Sequence, residues 1–185
     1  VTMNSMGYSM NYEYLSGTSM ACPCVAGVAA LAWSRYPNKT REWVRQWLRT
    51  TANDLGDPGF DEYYGYGRVN ARNAVEELPP VHDLLAYGWE TPLYVEPGAT
   101  ATVYATVLNF GEASESSVEV QLFADDFVVD SAMIDSLASG YSAAVSLEWN
   151  PAVGGLYNVT FCVVPMAGET NLENNVLSKY IYVGS

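Results

Sequence analysis

The chain has 185 residues, 49% of them hydrophobic, which is enough for one large domain or two small ones with a buried core and too apolar for a disordered chain. Its net charge of -13 is unevenly placed: residues 1–78 carry seven Arg/Lys against eight Asp/Glu, whereas residues 79–185 carry Lys179 against thirteen acids. That balance excludes nucleic acid as a fitting partner, since phosphate binding needs cationic patches, and no apolar run of 18 residues or more is present to span a membrane as a helix.

The first residues, VTMNSMGYS, lack the basic start and apolar stretch of a secretory signal, and the leading valine reads as a processed or internal start. Ser19 to Tyr36 then reads as a helix of small apolar residues (Ala21, Ala26, Gly27, Ala29, Ala30, Ala32), with Pro23 expected to be tolerated in its first turn. Tyr36-Pro37-Asn38 stops it. A second helix is expected after Thr40 as N-cap, with Glu42 in the first turn, an apolar stripe of Val44, Trp47, Leu48 and Thr51, and Arg45 and Arg49 toward the carbonyl end. After the Gly- and Tyr-rich loop of residues 53–70, Asn70 caps a third helix, Ala71 to Glu77, which Pro79-Pro80 ends.

Beyond the prolines the apolar period changes from helical to two. HDLLAYGWE, ATATVYATVLNFG, SSVEVQLFADD, FVVDSAMIDS, YSAAVSLEWN, LYNVTFCVV and NNVLSKYIYV are about seven short alternating segments separated by turn residues. That is the pattern of an antiparallel, immunoglobulin-like sandwich, without the paired cysteines of an antibody domain. Two units follow: residues 1–78, mainly helical, and residues 83–185, all β, joined by a proline linker at 79–82.

The stretch YLSGTSMACPCVAG, residues 14–27, places Ser19 at a helix start among small neighbours. One reading makes Ser19 an N-cap, a position that serine favours. The other makes it a nucleophile, because first-turn N–H groups have no helical partner and can meet an oxyanion, and the helix dipole favours negative charge there. The residues LSGTSMACP.VAGVAAL, YPN.T...VR..L..TA.DLG and D.YYGYGRVNA..AV, running in order through residues 1 to about 77, closely resemble the end of the catalytic domain of subtilisin-like serine proteases. The resemblance implies a fragment of an α/β catalytic domain, with Ser19 as nucleophile and oxyanion donor through its own N–H, and with Gly17 and Thr18 supporting the turn. In that family the triad runs Asp, His, Ser along the chain. Neither D-[ST]-G nor H-G-T-H precedes Ser19, and Asn4 and Asn11 are too close to serve as the family's side-chain oxyanion donor. The implied activity is serine endopeptidase chemistry on protein or peptide substrates, with this chain alone inactive. Cys24 stands where the family very often has a histidine, which puts packing beside Ser19 in question.

Other features have blander readings beside sharper ones. His82, the single histidine, reads as a surface or linker residue opening the first strand rather than as a base. Cys22, Cys24 and Cys162 are odd in number and read as small hydrophobes rather than a C-P-C metal site. The tyrosines of residues 53–70 read as packing for the last helix rather than as a binding surface. Asn38-Lys39-Thr40 and Asn158-Val159-Thr160 fit glycosylation sequons. VEPGATATVYATVLNFGEASESSVEVQLFADD, DSLASGYSAAVSLEWNP and ETNLENNVLSKYIYV resemble the CARDB family of small sandwich domains, which implies an accessory adhesion or spacer module with a cell-surface or matrix ligand, and a secreted or cell-surface protein. No metal or cofactor is required by these motifs. Asp125-Asp126, with Glu169, Glu173 and Asn174, are candidate calcium ligands, with solvated turns the plainer reading. The alternative to a protease is a non-catalytic surface or adhesion protein carrying a protease remnant.

Overall fold

The computed structural model describes residues 15–184 and the backbone of Thr2–Met3 and Tyr12–Glu13. The chain divides into two compact units, Val1–Glu77 and Leu78–Ser185.

In the first unit, β1 (Thr2–Met3) and β2 (Tyr12–Glu13) pair antiparallel. The rest of the strand and loop expected before the serine lies outside the described residues. Helix α1 (Thr18–Arg35) runs straight through Pro23, which stands at its sixth position and not in the first turn as expected. Helix α2 (Arg41–Thr50) begins where the Oγ1 of Thr40 accepts the Trp43 N–H, and it buries Trp43, Val44 and Trp47. Trp43 and Trp47 stack at 5.2 Å between ring centroids, and Tyr36 meets both at 5.1 and 5.8 Å. Helix α3 (Ala71–Glu76) is tied to this knot from the other side: the indole N–H of Trp47 donates to the Ala74 carbonyl at 2.9 Å, and the Tyr36 hydroxyl to that of Glu77 at 2.8 Å. These aromatic side chains hold three helices that are individually too short or too weakly patterned to stand alone.

The second unit is a sandwich of two sheets. β3 (Leu84–Glu90), β5 (Ala101–Asn109) and β8 (Ser142–Trp149) form one, in the order β3-β5-β8. β4 (Tyr94–Val95), β6 (Glu115–Ala124), β7 (Phe127–Leu137), β9 (Gly155–Val163) and β10 (Val176–Val183) form the other, in the order β4-β10-β9-β6-β7. All pairings are antiparallel except that of β4 with β10. Val103, Val107 and Leu147 from one sheet face Val118, Val120, Leu122, Val159, Phe161 and Ile181 from the other, all essentially inaccessible to solvent. This is the alternation that the period-two segments encode.

The Asn109-Phe110-Gly111 turn closes one end. Buried Asn109 donates to the carbonyls of Ala113 and Leu137 and accepts the Gly111 N–H. Pro80 and Val81 accept the N–H groups of Glu112 and Ala113, so the hydrogen bonding of the sandwich starts within the proline segment.

Candidate active site

Gly17 is the N-cap of α1, with φ 150° and ψ 165°, a conformation that a residue with a Cβ adopts only under strain. A Cβ there would meet only the Met20 Sδ at 3.7 Å, an ordinary contact, so the backbone angle and not crowding calls for glycine. Thr18 and Ser19 follow as the first two helical residues, both exposed. Ser19 is therefore not the N-cap of the plainer reading; that place is held by a residue with no side chain to cap with.

The Gly17 carbonyl accepts from Met20 and Ala21, which leaves the N–H groups of Thr18 and Ser19 without an acceptor among the described residues. No acidic residue stands in the first turn to neutralise the positive end of the helix. The result is an exposed hydroxyl beside two N–H groups that have no acceptor among the described residues, at the positive end of an 18-residue helix, an arrangement able to stabilise an oxyanion.

Among the described residues no histidine or carboxylate hydrogen-bonds Ser19. His82 belongs to the second unit, ahead of β3, where its Nδ1 lies 2.7 Å from the Oε1 of buried Glu115. Cys22 and Cys24 are exposed and unbridged, the Cys24 thiol pointing to the Met20 carbonyl at 3.4 Å. Cys162 is partly buried, and burial pushes its thiol above the usual range.

The walls around the turn are open. α1 is apolar on every side, the composition of a buried helix, yet only Ala32 is fully enclosed, and Val25, Leu31 and Trp33 are 40–51% exposed. A cleft of about 420 Å³ between α1 and α2 is lined by Val25, Ala29, Trp33, Leu48 and Tyr66, with Arg45 and Arg49 beside it. The tyrosines of the 53–70 loop differ from expectation: Tyr63, Tyr64 and Tyr66 remain substantially exposed, and Tyr66 lies under the Arg49 guanidinium at 4.7 Å.

The calcium candidates separate. Asp125, at φ 53°, forms the β6–β7 hairpin turn with Asp126, and its Oδ1 accepts the Asn158 N–H at 2.9 Å. Glu169 and Asn174 instead meet Asp83, a buried acid that the sequence reading did not select; its one signal was a lone carboxylate at the start of an apolar strand. Among the described residues no three His, Cys, Asp or Glu side chains gather as a metal cluster.

An exposed serine at a helix start thus precedes an immunoglobulin-like sandwich in this chain. Residues 2–67 match the Subtilase family and residues 82–179 match CARDB, so the chain belongs to the CARDB family and carries a segment of the subtilase family before that domain. The thermostable alkaline protease of Halalkalibacterium halodurans is 49% identical over 76 residues, 41% of this chain and 20% of that protein. Subtilisin DY of Bacillus licheniformis is 45% identical over 76 residues, 41% of this chain and 27% of that protein. An extracellular serine protease of Serratia marcescens is 47% identical over 64 residues, 35% of this chain and 6% of that protein. The chain thus spans well under a third of the length of these relatives. Among solved structures, the CARDB domain of a Pyrococcus furiosus protein, crystallised in complex with di-metal ions, superposes with a TM-score of 0.50 at 21% identity, covering 59% of this chain and 95% of that one.

Proposed function

We propose that these residues are the nucleophile-bearing end of a secreted or cell-surface serine endopeptidase, followed by a CARDB module that serves as a spacer or as an attachment to a surface or matrix ligand. Ser19 attacks the scissile carbonyl of a protein or peptide substrate, and its N–H donates to the oxyanion of the acyl-transfer intermediate, with Gly17 and Thr18 shaping the turn. The base and the acid that orients it come from sequence outside this chain. The observation that carries the reading is the Gly17-Thr18-Ser19 turn, with its exposed hydroxyl and unpartnered donors at the start of α1. The open apolar surface of α1 supports it, because such a helix belongs inside a larger domain.

In subtilisin itself, loss of the base alone costs about as much as loss of the whole triad, roughly a millionfold in turnover. The 185-residue chain should therefore neither cleave casein nor take up a fluorophosphonate. A longer polypeptide carrying the family's Asp and His motifs ahead of these residues should do both, with the probe on Ser19 by mass spectrometry, and Ser19→Ala should remove both. Retained proteolysis in that Ser19→Ala variant, or a probe bound elsewhere, overturns the assignment.

A further inference from the structure

The two Asn-x-Thr triplets, Asn38-Lys39-Thr40 and Asn158-Val159-Thr160, meet opposite fates in the fold. Asn38 lies exposed in the turn between α1 and α2, and its side-chain amide makes no hydrogen bond among the described residues. An asparagine usually serves a turn by bonding the backbone nearby or by accepting a left-handed conformation. Asn38 does neither, since its φ is not positive. The bonds that shape the turn come from its neighbours: the Lys39 N–H donates to the Tyr36 carbonyl at 3.1 Å, and the Trp33 indole N–H to the Lys39 carbonyl at 3.0 Å. Thr40 is fixed as the N-cap of α2, its Oγ1 accepting the Trp43 N–H at 3.4 Å. The turn therefore stands without the Asn38 amide, which is left to solvent.

Asn158 is woven into the sandwich. It is half-buried in β9, which runs between β10 and β6, and it faces Tyr180 across the β10 ladder. Its N–H donates to the Asp125 Oδ1 at 2.9 Å, and its carbonyl accepts the Asp125 N–H at 2.9 Å. The Thr160 hydroxyl of the same triplet lies 2.9 Å from that of Ser178. To offer this triplet to an enzyme, an inner strand would have to give up ladder bonds on both sides, and each backbone group left unpaired adds to the cost. Offering Asn38 disturbs no strand.

We propose that Asn38 is an acceptor for an N-linked oligosaccharide, and that the fold withholds Asn158 from the same reaction. The sugar donor is an oligosaccharide carried on a polyprenyl phosphate or pyrophosphate. The Asn38 Nδ2 bonds to C1 of the first sugar, the C1–O bond to the phosphate breaks, and the lipid phosphate leaves with the electron pair. One amide proton passes to a base of the transferase, and nothing is oxidised or reduced. The attached sugar stands at the entry to α2 near Trp33, itself 42% exposed, where it covers open surface and displaces no buried group. The inference rests on the secreted or cell-surface part of the proposed function, because such lipid-linked sugars are used on that side of the membrane, and not on the role of Ser19.

The test combines the folded 185-residue chain with a polyprenyl-pyrophosphate-linked oligosaccharide and a single-subunit oligosaccharyltransferase that accepts any Asn-x-Thr triplet. Synthetic peptides of residues 34–44 and 154–164 run alongside. Mass spectrometry locates the sugar after enzymatic release in heavy-oxygen water, which leaves a labelled aspartate at the linked position. Both peptides should be glycosylated, whereas the folded chain should carry sugar at Asn38 and essentially none at Asn158. Thr40→Ser keeps both triplet and cap and should retain the transfer; Thr40→Asp keeps a good cap, loses the triplet and should abolish it. The proposal is overturned by a folded chain that takes no sugar at Asn38, by transfer to Asn158 to an equal extent, or by a 154–164 peptide that does not react, since the sequence and not the fold would then withhold Asn158. The readout is attached sugar and not hydrolysis, so its failure leaves the Ser19 assignment standing, and failure of that assignment leaves this one.

Discussion

Gly111 sits where a side chain has no room. A Cβ there would lie 2.7 Å from the Val81 carbonyl oxygen and 2.9 Å from the Asp83 nitrogen, both backbone atoms that cannot swing aside. Gly111→Ala should therefore destabilise the sandwich by about 1–3 kcal/mol, the usual cost of overpacking, read as a lower urea midpoint at unchanged slope. Cysteine chemistry gives a second residue-scale test. Alkylation proceeds through the thiolate, and burial holds Cys162 protonated to higher pH than usual, while Cys22 and Cys24 are open to solvent. Iodoacetamide at pH 8 should thus modify Cys22 and Cys24 first, with Cys162 reacting only after unfolding; peptide mass spectrometry with Cys162 among the earliest products would contradict that placement. The helix start around Ser19 was legible in the sequence because small residues flank it and a continuous apolar run follows. Asp83 was not, since its partners Glu169, Asn171 and Asn174 lie more than 80 positions away and no spacing announces them.

Elements announced themselves in proportion to their length and the regularity of their pattern. The long strands follow from alternation where one side is buried against the opposite sheet, as in β5, β6 and β9, whereas the edge strand β7, with Phe127, Val128 and Val129 exposed, carries the alternation only around Ala132 and Ile134. β4 did not: two residues cannot display a period, and its place beside β10 is fixed by the tertiary pairing of Tyr94 with Tyr182 and Val95 with Val183. Pro23 misled the expectation for α1, since helix entry is set two residues before the serine by the Gly17 backbone, which puts the proline beyond the first turn. α3 tests how much a cap contributes to a six-residue helix. Asn70 accepts from the N–H groups of Arg72 and Asn73 and donates to the side chain of Asn53, so it satisfies the helix start and ties it to the 53–70 loop. Asn70→Ala should cost the first unit about 1–2 kcal/mol, and Asn70→Ser, which keeps the cap and loses the Asn53 bond, should recover part of it. Hydrogen exchange of the Arg72 and Asn73 amides is the direct measurement, and equal protection in all three chains would show that packing alone maintains α3.

The chain carries two kinds of core, one in each unit. Twenty buried side chains from both sheets close the sandwich core, with Asn109 and Gly111 locking one end, so the second unit has what a small domain needs to fold by itself. The first unit has one aromatic knot, and the longest helix it owns turns most of its apolar surface to solvent. Hydrophobic burial is the main favourable term in folding, so a unit that leaves this much apolar helix uncovered retains only part of it. The two should therefore unfold separately. In hydrogen exchange read by mass spectrometry, peptides from β5, β6, β9 and β10 should stay protected to a common, late urea transition, while peptides from α1 exchange early and bind apolar dyes before the sandwich melts. One cooperative transition with equal protection of α1 and β6 would mean that α1 is covered in solution, and would remove the open helix as support for a larger catalytic domain around Ser19.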